Sequence, residues 1–93
     1  ISNLPRALDE LKHAGFWVCG ASEHAEQVIW DAPVEGRLAL VMGSENAGIS
    51  QIMLEKCDFL AKLPQHGRIE SLNVAQAATA FCYEWLRRTS PDA

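Results

Sequence analysis

The chain has 93 residues, of which 48% are hydrophobic and 22% charged, and its net charge is -4. That is an ordinary soluble composition for one domain at most, with a modest core. No apolar stretch approaches the ~20 residues of a membrane span, and no basic start leads into an apolar core as in a signal peptide. In chain order, Asn3 and Pro5 mark a helix start. Leu4, Ala7, Leu8, Leu11 and Ala14 then recur at helical spacing, and Gly15 is the natural stop. Phe16 to Cys19 reads as a short buried strand. Residues 22–28 suit a helical turn capped by Ser22, and Asp31 to Gly36 a loop broken by Pro33 and Gly36. Leu38 to Met42 is apolar without alternation, as in a parallel strand covered on both faces. Ser50 can cap a short helix from Gln51 to Lys56, and Asp58 to Leu63 reads as another strand, ended by Pro64. Ser71 opens a long helix to about Arg88, with Val74, Ala77, Ala78, Phe81, Cys82 and Trp85 as its main apolar stripe. Ala80, Tyr83 and Leu86 widen that stripe, so the helix is expected to pack on the sheet and on a second subunit. A single buried core helix would explain the same pattern. The alternation of helices and strands predicts an α/β layer architecture with a mainly parallel sheet.

Cys19, Cys57 and Cys82 are widely spaced, with no C-x-x-C pair. They read as reduced core cysteines of a cytoplasmic protein. His13, His24 and His66 have no ligand-like spacing, so no metal site is expected. The acidic balance is unusual for a protein that meets phosphates. Arg68, Arg87 and Arg88 are basic, but a nucleic-acid substrate would call for a local basic cluster, a dimer groove or further chain.

Two segments stand out. In each, an apolar run breaks into a Gly-containing polar loop and then into helical periodicity. The first is Leu38-Ala39-Leu40-Val41-Met42-Gly43-Ser44-Glu45-Asn46-Ala47-Gly48-Ile49-Ser50. The second is Leu63-Pro64-Gln65-His66-Gly67-Arg68-Ile69-Glu70-Ser71-Leu72-Asn73-Val74-Ala75. A Gly-bearing loop at the carboxyl end of a parallel strand is where α/β folds bind ligands. Glycine there permits a sharp turn or a close approach to a ligand. Neither loop is a Walker loop or a G-x-G-x-x-G fingerprint. Taken singly, each is better explained as a plain strand-to-helix turn, with Ser71 as a helix cap.

Together the two segments resemble the second and third motifs of the SpoU/TrmH family of RNA 2'-O-ribose methyltransferases. Those motifs read approximately L-V-x-G-x-E-x-x-G-[LI]-[ST] and I-P-M-x-G-x-x-x-S-L-N-V-S-x-A. Gly43, Glu45, Gly48, Ile49 and Ser50 match the first. Leu63, Pro64, Gly67, Ser71, Leu72, Asn73, Val74 and Ala77 match the second. The resemblance covers essentially the whole chain. It implies a SPOUT-type fold with helices on both faces of the sheet and a C-terminal trefoil knot. It implies S-adenosylmethionine held by backbone at Gly43, Leu63 and Leu72, with the region near Ala21 closing over it. It also implies a catalytic centre containing Glu45, Ser71 and Asn73, which organise the ribose and a catalytic arginine. The implied reaction is methyl transfer to a ribose 2'-hydroxyl of rRNA or tRNA, with rRNA favoured. The implied assembly is a homodimer through the C-terminal helix, needing no metal and no membrane. Gln65, His66 and Ala75 depart from the pattern in tolerable ways. The family's first motif, an Asn followed by an Arg, has no counterpart here. Residues 1–93 therefore read as the C-terminal portion of one catalytic domain, lacking the first motif and the N-terminal strands. By itself the chain is expected to be inactive. The alternative is a catalytically silent relative that binds RNA or dimerises; an unrelated nucleotide-binding domain is a third reading.

Overall fold

The computed structural model describes residues 4–43, 48–64 and 74–90. Its elements run α1 (Leu4–His13), β1 (Trp17–Ala21), β2 (Leu38–Met42), α2 (Gln51–Lys56), β3 (Phe59–Ala61) and α3 (Val74–Thr89). The strands form one sheet in the order β2-β1-β3, and both pairings are parallel. Parallel neighbours need crossovers. Residues 22–37 make the first, and α2 lies within the second.

The two faces of the sheet are covered differently. Side chains alternate along a strand, so Val18 of β1 and Ala39 and Val41 of β2 point one way. There they meet Leu8 and Leu11 of α1, Met53 of α2, and Ile49 and Cys57. Cys19, Ala21, Leu38, Leu40, Phe59 and Ala61 point the other way. They meet Phe81 and Trp85 of α3, together with Val28, Ile29, Ala32 and Val34 of the first crossover. Helices therefore lie on both faces, which explains why β2 is apolar without alternation.

Local chemistry sets the element ends. Gly15 closes α1 at φ 93, a left-handed conformation costly for residues with a Cβ. Ser50 caps α2, its Oγ accepting from the Met53 N–H at 3.3 Å. Lys56 of α2 grips Asp9 of α1, donating to both carboxylate oxygens at 3.0 and 2.9 Å. Asp58 accepts from the buried Val18 N–H at 2.7 Å, while its own N–H donates to the Val18 carbonyl at 2.8 Å. This pins the start of β3 to β1.

Three expectations need correction. Residues 22–28 form tight turns and no helix: Ser22 accepts from the His24 N–H through its hydroxyl and from the Ala25 N–H through its carbonyl. β3 is shorter than Asp58 to Leu63, because Lys62 leaves the ladder with β1 and bridges to Val28. Of the three cysteines only Cys19 is a core residue; Cys57 is half-buried and Cys82 exposed. No correction is needed for α3, which buries Phe81 and leaves Tyr83 and Leu86 of its wider apolar surface facing outward. The expected start of that helix at Ser71 lies outside the described residues.

Candidate functional site

Because all three strands run the same way, their carboxyl ends share one edge. Ala21 pairs with Met42, the residue before Gly43, and with Ala61, two residues before Leu63. The sheet thus brings Ala21, Gly43 and Leu63 to a common edge, with the central strand flanked by the two exits. Strand order reverses about β1 here, and such a reversal opens a crevice at the carboxyl ends of α/β sheets. Leu72 and the expected catalytic residues Glu45, Ser71 and Asn73 lie outside the described residues.

The need for glycine at position 43 has a direct cause. A Cβ there would sit 2.2 Å from the Gly48 carbonyl carbon and 2.5 Å from the Ile49 nitrogen. The chain returns against its own backbone at this point. Gly43 is accordingly explained by the closure of the first loop, before any ligand is considered.

The β3 exit is held from the other side. The Ser22 N–H donates to the Ala61 carbonyl at 3.0 Å, and the Lys62 N–H to the Gln27 carbonyl at 3.1 Å. The Ile29 N–H returns a bond to the Lys62 carbonyl at 2.7 Å. Gln27 Nε2 adds a bond to the Leu60 carbonyl at 3.3 Å. Residues 22–29 therefore brace the strand end from which Leu63 and Pro64 emerge.

Beside that exit lies an open groove of about 390 Å³, lined by Trp30, Leu63, Pro64, Ala80, Tyr83 and Arg87 among others. Trp30 and Tyr83 are 61% and 69% exposed. Behind it, Arg87 and Arg88 converge on Glu84, Arg87 through two bonds at 3.0 and 2.8 Å and Arg88 through one at 2.6 Å. The Arg87 hydrogen bonds, with those of Arg88, hold the Glu84 carboxyl below its ordinary range against a smaller opposing effect of burial.

Arg88, one of the three arginines noted as basic, is engaged within the fold. Its guanidinium also donates to the carbonyls of Ile29, Trp30 and Ala32. Trp85 Nε1 donates to the Gly36 carbonyl at 2.6 Å, and the Gly36 N–H donates to Thr89 Oγ1 at 3.0 Å. The last turns of α3 thus partner the backbone of the first crossover. Sequence reasoning missed this role. The available signal was the apolar set Val28, Ile29, Ala32 and Val34 in a segment without regular periodicity. Burying it requires partners for its carbonyls.

Burial, with a smaller contribution from Cys57, pushes the Cys19 thiol up to about 12, so it is no nucleophile at neutral pH. Among the described residues no group of His, Cys, Asp and Glu could hold a metal ion, and no helix is long and apolar enough to cross a membrane.

A small parallel sheet with helices on both faces and two loops leaving one edge defines a class of α/β ligand-binding domain. The comparison with known proteins narrows it. Residues 1–83 match the model of the SpoU rRNA Methylase family, and the chain belongs to that family. The 23S rRNA (guanosine-2'-O-)-methyltransferase RlmB of Coxiella burnetii is 40% identical over 93 residues, covering 100% of this chain and 37% of that enzyme. Among solved structures, the SpoU methyltransferase AviRb from Streptomyces viridochromogenes, in complex with the cofactor AdoMet, superposes with a TM-score of 0.82. It is 30% identical and covers 95% of this chain and 35% of that one. The TrmH/SpoU tRNA modifying enzyme of A. aeolicus gives 0.80 at 28% identity, covering 95% of this chain and 45% of that one. The chain therefore spans less than half the length of these relatives.

Proposed function

We propose that this chain forms the C-terminal, cofactor-binding part of an RNA 2'-O-ribose methyltransferase that uses S-adenosylmethionine. The observation that carries the reading is the convergence of Ala21, Gly43 and Leu63 at one sheet edge in a member of the SpoU family. Ala21, Met42, Gly43, Leu63 and Pro64 carry no charge. Neither loop carries a phosphate-binding fingerprint, which supports S-adenosylmethionine over ATP or NAD.

In this reading, backbone at Gly43, Leu63 and Leu72 holds the cofactor, and the turn after Ala21 closes over it. When bound, S-adenosylmethionine supplies an electrophilic methyl group. Glu45, Ser71 and Asn73 organise the ribose so that its 2'-oxygen lies in line with that methyl. The hydroxyl must also lose its proton, which is the task assigned to an arginine outside this chain. The C-terminal trefoil knot implied by the family resemblance belongs to the same proposal. So does a homodimer through α3, which the outward-facing Cys82, Tyr83 and Leu86 support. A cytoplasmic location belongs to the same proposal. An rRNA target is favoured because the Coxiella relative is named for 23S rRNA.

Calorimetric titration with S-adenosylhomocysteine tests the cofactor assignment, with ATP and NAD as competitors. Saturable binding of the first alone is expected; binding of ATP or NAD instead would replace this reading with that of a general nucleotide-binding domain. Ribose-methylation mapping of RNA from a strain lacking the gene tests the reaction, and the expected result is loss of one 2'-O-methyl mark. An unchanged map would favour a silent relative that retains the fold for RNA binding or dimerisation.

A further inference from the structure

The last turn of α3 and the exit of β3 are far apart in sequence, yet a continuous set of hydrogen bonds joins them. Arg88 donates to the carbonyls of Ile29, Trp30 and Ala32. The N–H of Ile29 donates to the carbonyl of Lys62, whose own N–H is taken by Gln27. Leu63 is the next residue, and it belongs to the edge described above. Both side chains at the origin of this path are largely enclosed: those of Arg88 and Glu84 are 16% and 11% exposed.

A planar guanidinium is suited to this work. It offers five N–H donors in a fixed fork, so one side chain can bind a carboxylate and several carbonyls at once. Glu84 fixes the orientation of the fork from its own helix, one turn earlier. A lysine would keep the charge but present a single ammonium on a flexible stem. The carbonyls would then lose their simultaneous partners, and the segment from Ile29 to Ala32 its fixed position.

We infer that Arg88 is a positioning residue: by holding the carbonyls of Ile29, Trp30 and Ala32 it sets the exit of β3 at Lys62 and, through it, the place of Leu63 at the cofactor edge. Its effect on the cofactor rests on the function proposed above; its effect on the strand exit does not.

Amide hydrogen exchange on the full chain, combined with S-adenosylhomocysteine titration, separates the two. In Arg88→Lys, the Ile29 and Lys62 amides are expected to exchange about tenfold faster, while the β1–β2 ladder keeps its protection, as for a local opening. Binding of S-adenosylhomocysteine should weaken by about the same factor. Glu84→Gln should give a smaller change at the same two amides, and it decides the matter if the lysine variant does not fold. Unchanged exchange at Ile29 and Lys62 would overturn the inference. Equal acceleration over the whole sheet would do so too, because Arg88 would then be a general stabiliser. Faster exchange at the two amides with unchanged ligand affinity would overturn the link to the cofactor edge. If the wild-type chain binds no S-adenosylhomocysteine but shows the local exchange pattern, the strand-exit role stands and the functional reading falls.

Discussion

The two faces of this sheet are built by different means. On one, α1 and α2 press apolar side chains onto Val18 and Val41, and the polar contacts between the helices lie at the margin. On the other, α3 covers an irregular crossover, and side chains from its last turns partner that crossover's backbone. The first face is held by surface burial that any amphipathic helix supplies. The second needs, in addition, specific donors for carbonyls removed from water. The site edge is joined to both, with the first loop returning on the α2 side and the second leaving on the α3 side.

The largest test of this contrast is a pair of truncations. Phe81→Ala removes the aromatic ring at the centre of the α3 face, which is 2% exposed, and should cost about 3–5 kcal/mol. Leu8→Ala removes the corresponding anchor of α1 and should cost about 2–5 kcal/mol, towards the lower end because Leu8 retains some exposure. Urea unfolding gives both values. Near-equal losses would mean that the two faces share the load evenly, and a greater loss at Leu8 that the α1 face carries more of it.

A smaller effect is expected from Asp58→Ala. Val18 is fully buried, and its N–H donates to the Asp58 carboxylate. Removing that acceptor should cost about 1–3 kcal/mol, the range for leaving a buried donor without a partner. The result is a polar bond on the face otherwise held by apolar contact. A loss below this range in urea unfolding would show that water reaches the Val18 amide, and that this face depends on burial alone.

The sequence made the first face readable and the second only partly so. Ala7, Leu8 and Leu11 recur at helical spacing, Gly15 stops the helix, and Ser50 caps the next one, so α1, β1, β2 and α2 fall close to where periodicity places them. These are local signals, and local bonds satisfy the backbone. The stretch 22–37 carries no such signal. The carbonyls of Gln27, Ile29 and Gly36 are satisfied by Lys62, Arg88 and Trp85, none of which is a near neighbour in sequence. Read locally, Ser22 suggested a helical turn, and no local signal marked Arg88 as a partner of backbone carbonyls; both are set by long-range bonds. At the edge, Ala21, Gly43 and Leu63 could be named because parallel strands fix where loops emerge. Gly20 could not: its Cβ would lie 2.6 Å from Leu60 Cδ2 and 2.8 Å from Cys57 Sγ, a restriction visible only once β3 is in place.

The charged cluster on α3 sharpens the contrast through pH. The Glu84 carboxyl titrates lower in the folded chain than in the unfolded one, because Arg87 and Arg88 bond to its ionised form. Its stabilising contribution is therefore complete above the ordinary carboxylate value of 4.5 and is lost as pH falls through the lower folded value. Glu84→Gln should flatten the acid limb of the stability curve in that window and leave the curve near neutrality parallel to wild type. An acid limb of unchanged slope would assign the loss of stability to other carboxylates.

The smallest perturbation uses the cysteines, one on each face and one outside. Cys19 lies under α3, fully buried, with its thiol at about 12; Cys57 lies on the α2 side, half-buried and raised mainly by burial; Cys82 is exposed on α3. Thiolate fraction and access together govern alkylation. Iodoacetamide should therefore modify Cys82 first, Cys57 more slowly and Cys19 only with unfolding, as peptide mass spectrometry would resolve. The rank of Cys82 carries the information. In a homodimer through α3 its rate should fall as protein concentration rises, whereas Cys57, on the opposite face, should be unaffected. A Cys82 rate independent of concentration across the range in which the chain dimerises would place the interface elsewhere. The outward apolar residues of α3 would then need another explanation, while the bonds from Arg88 and Trp85 to the crossover would still define how that face is held.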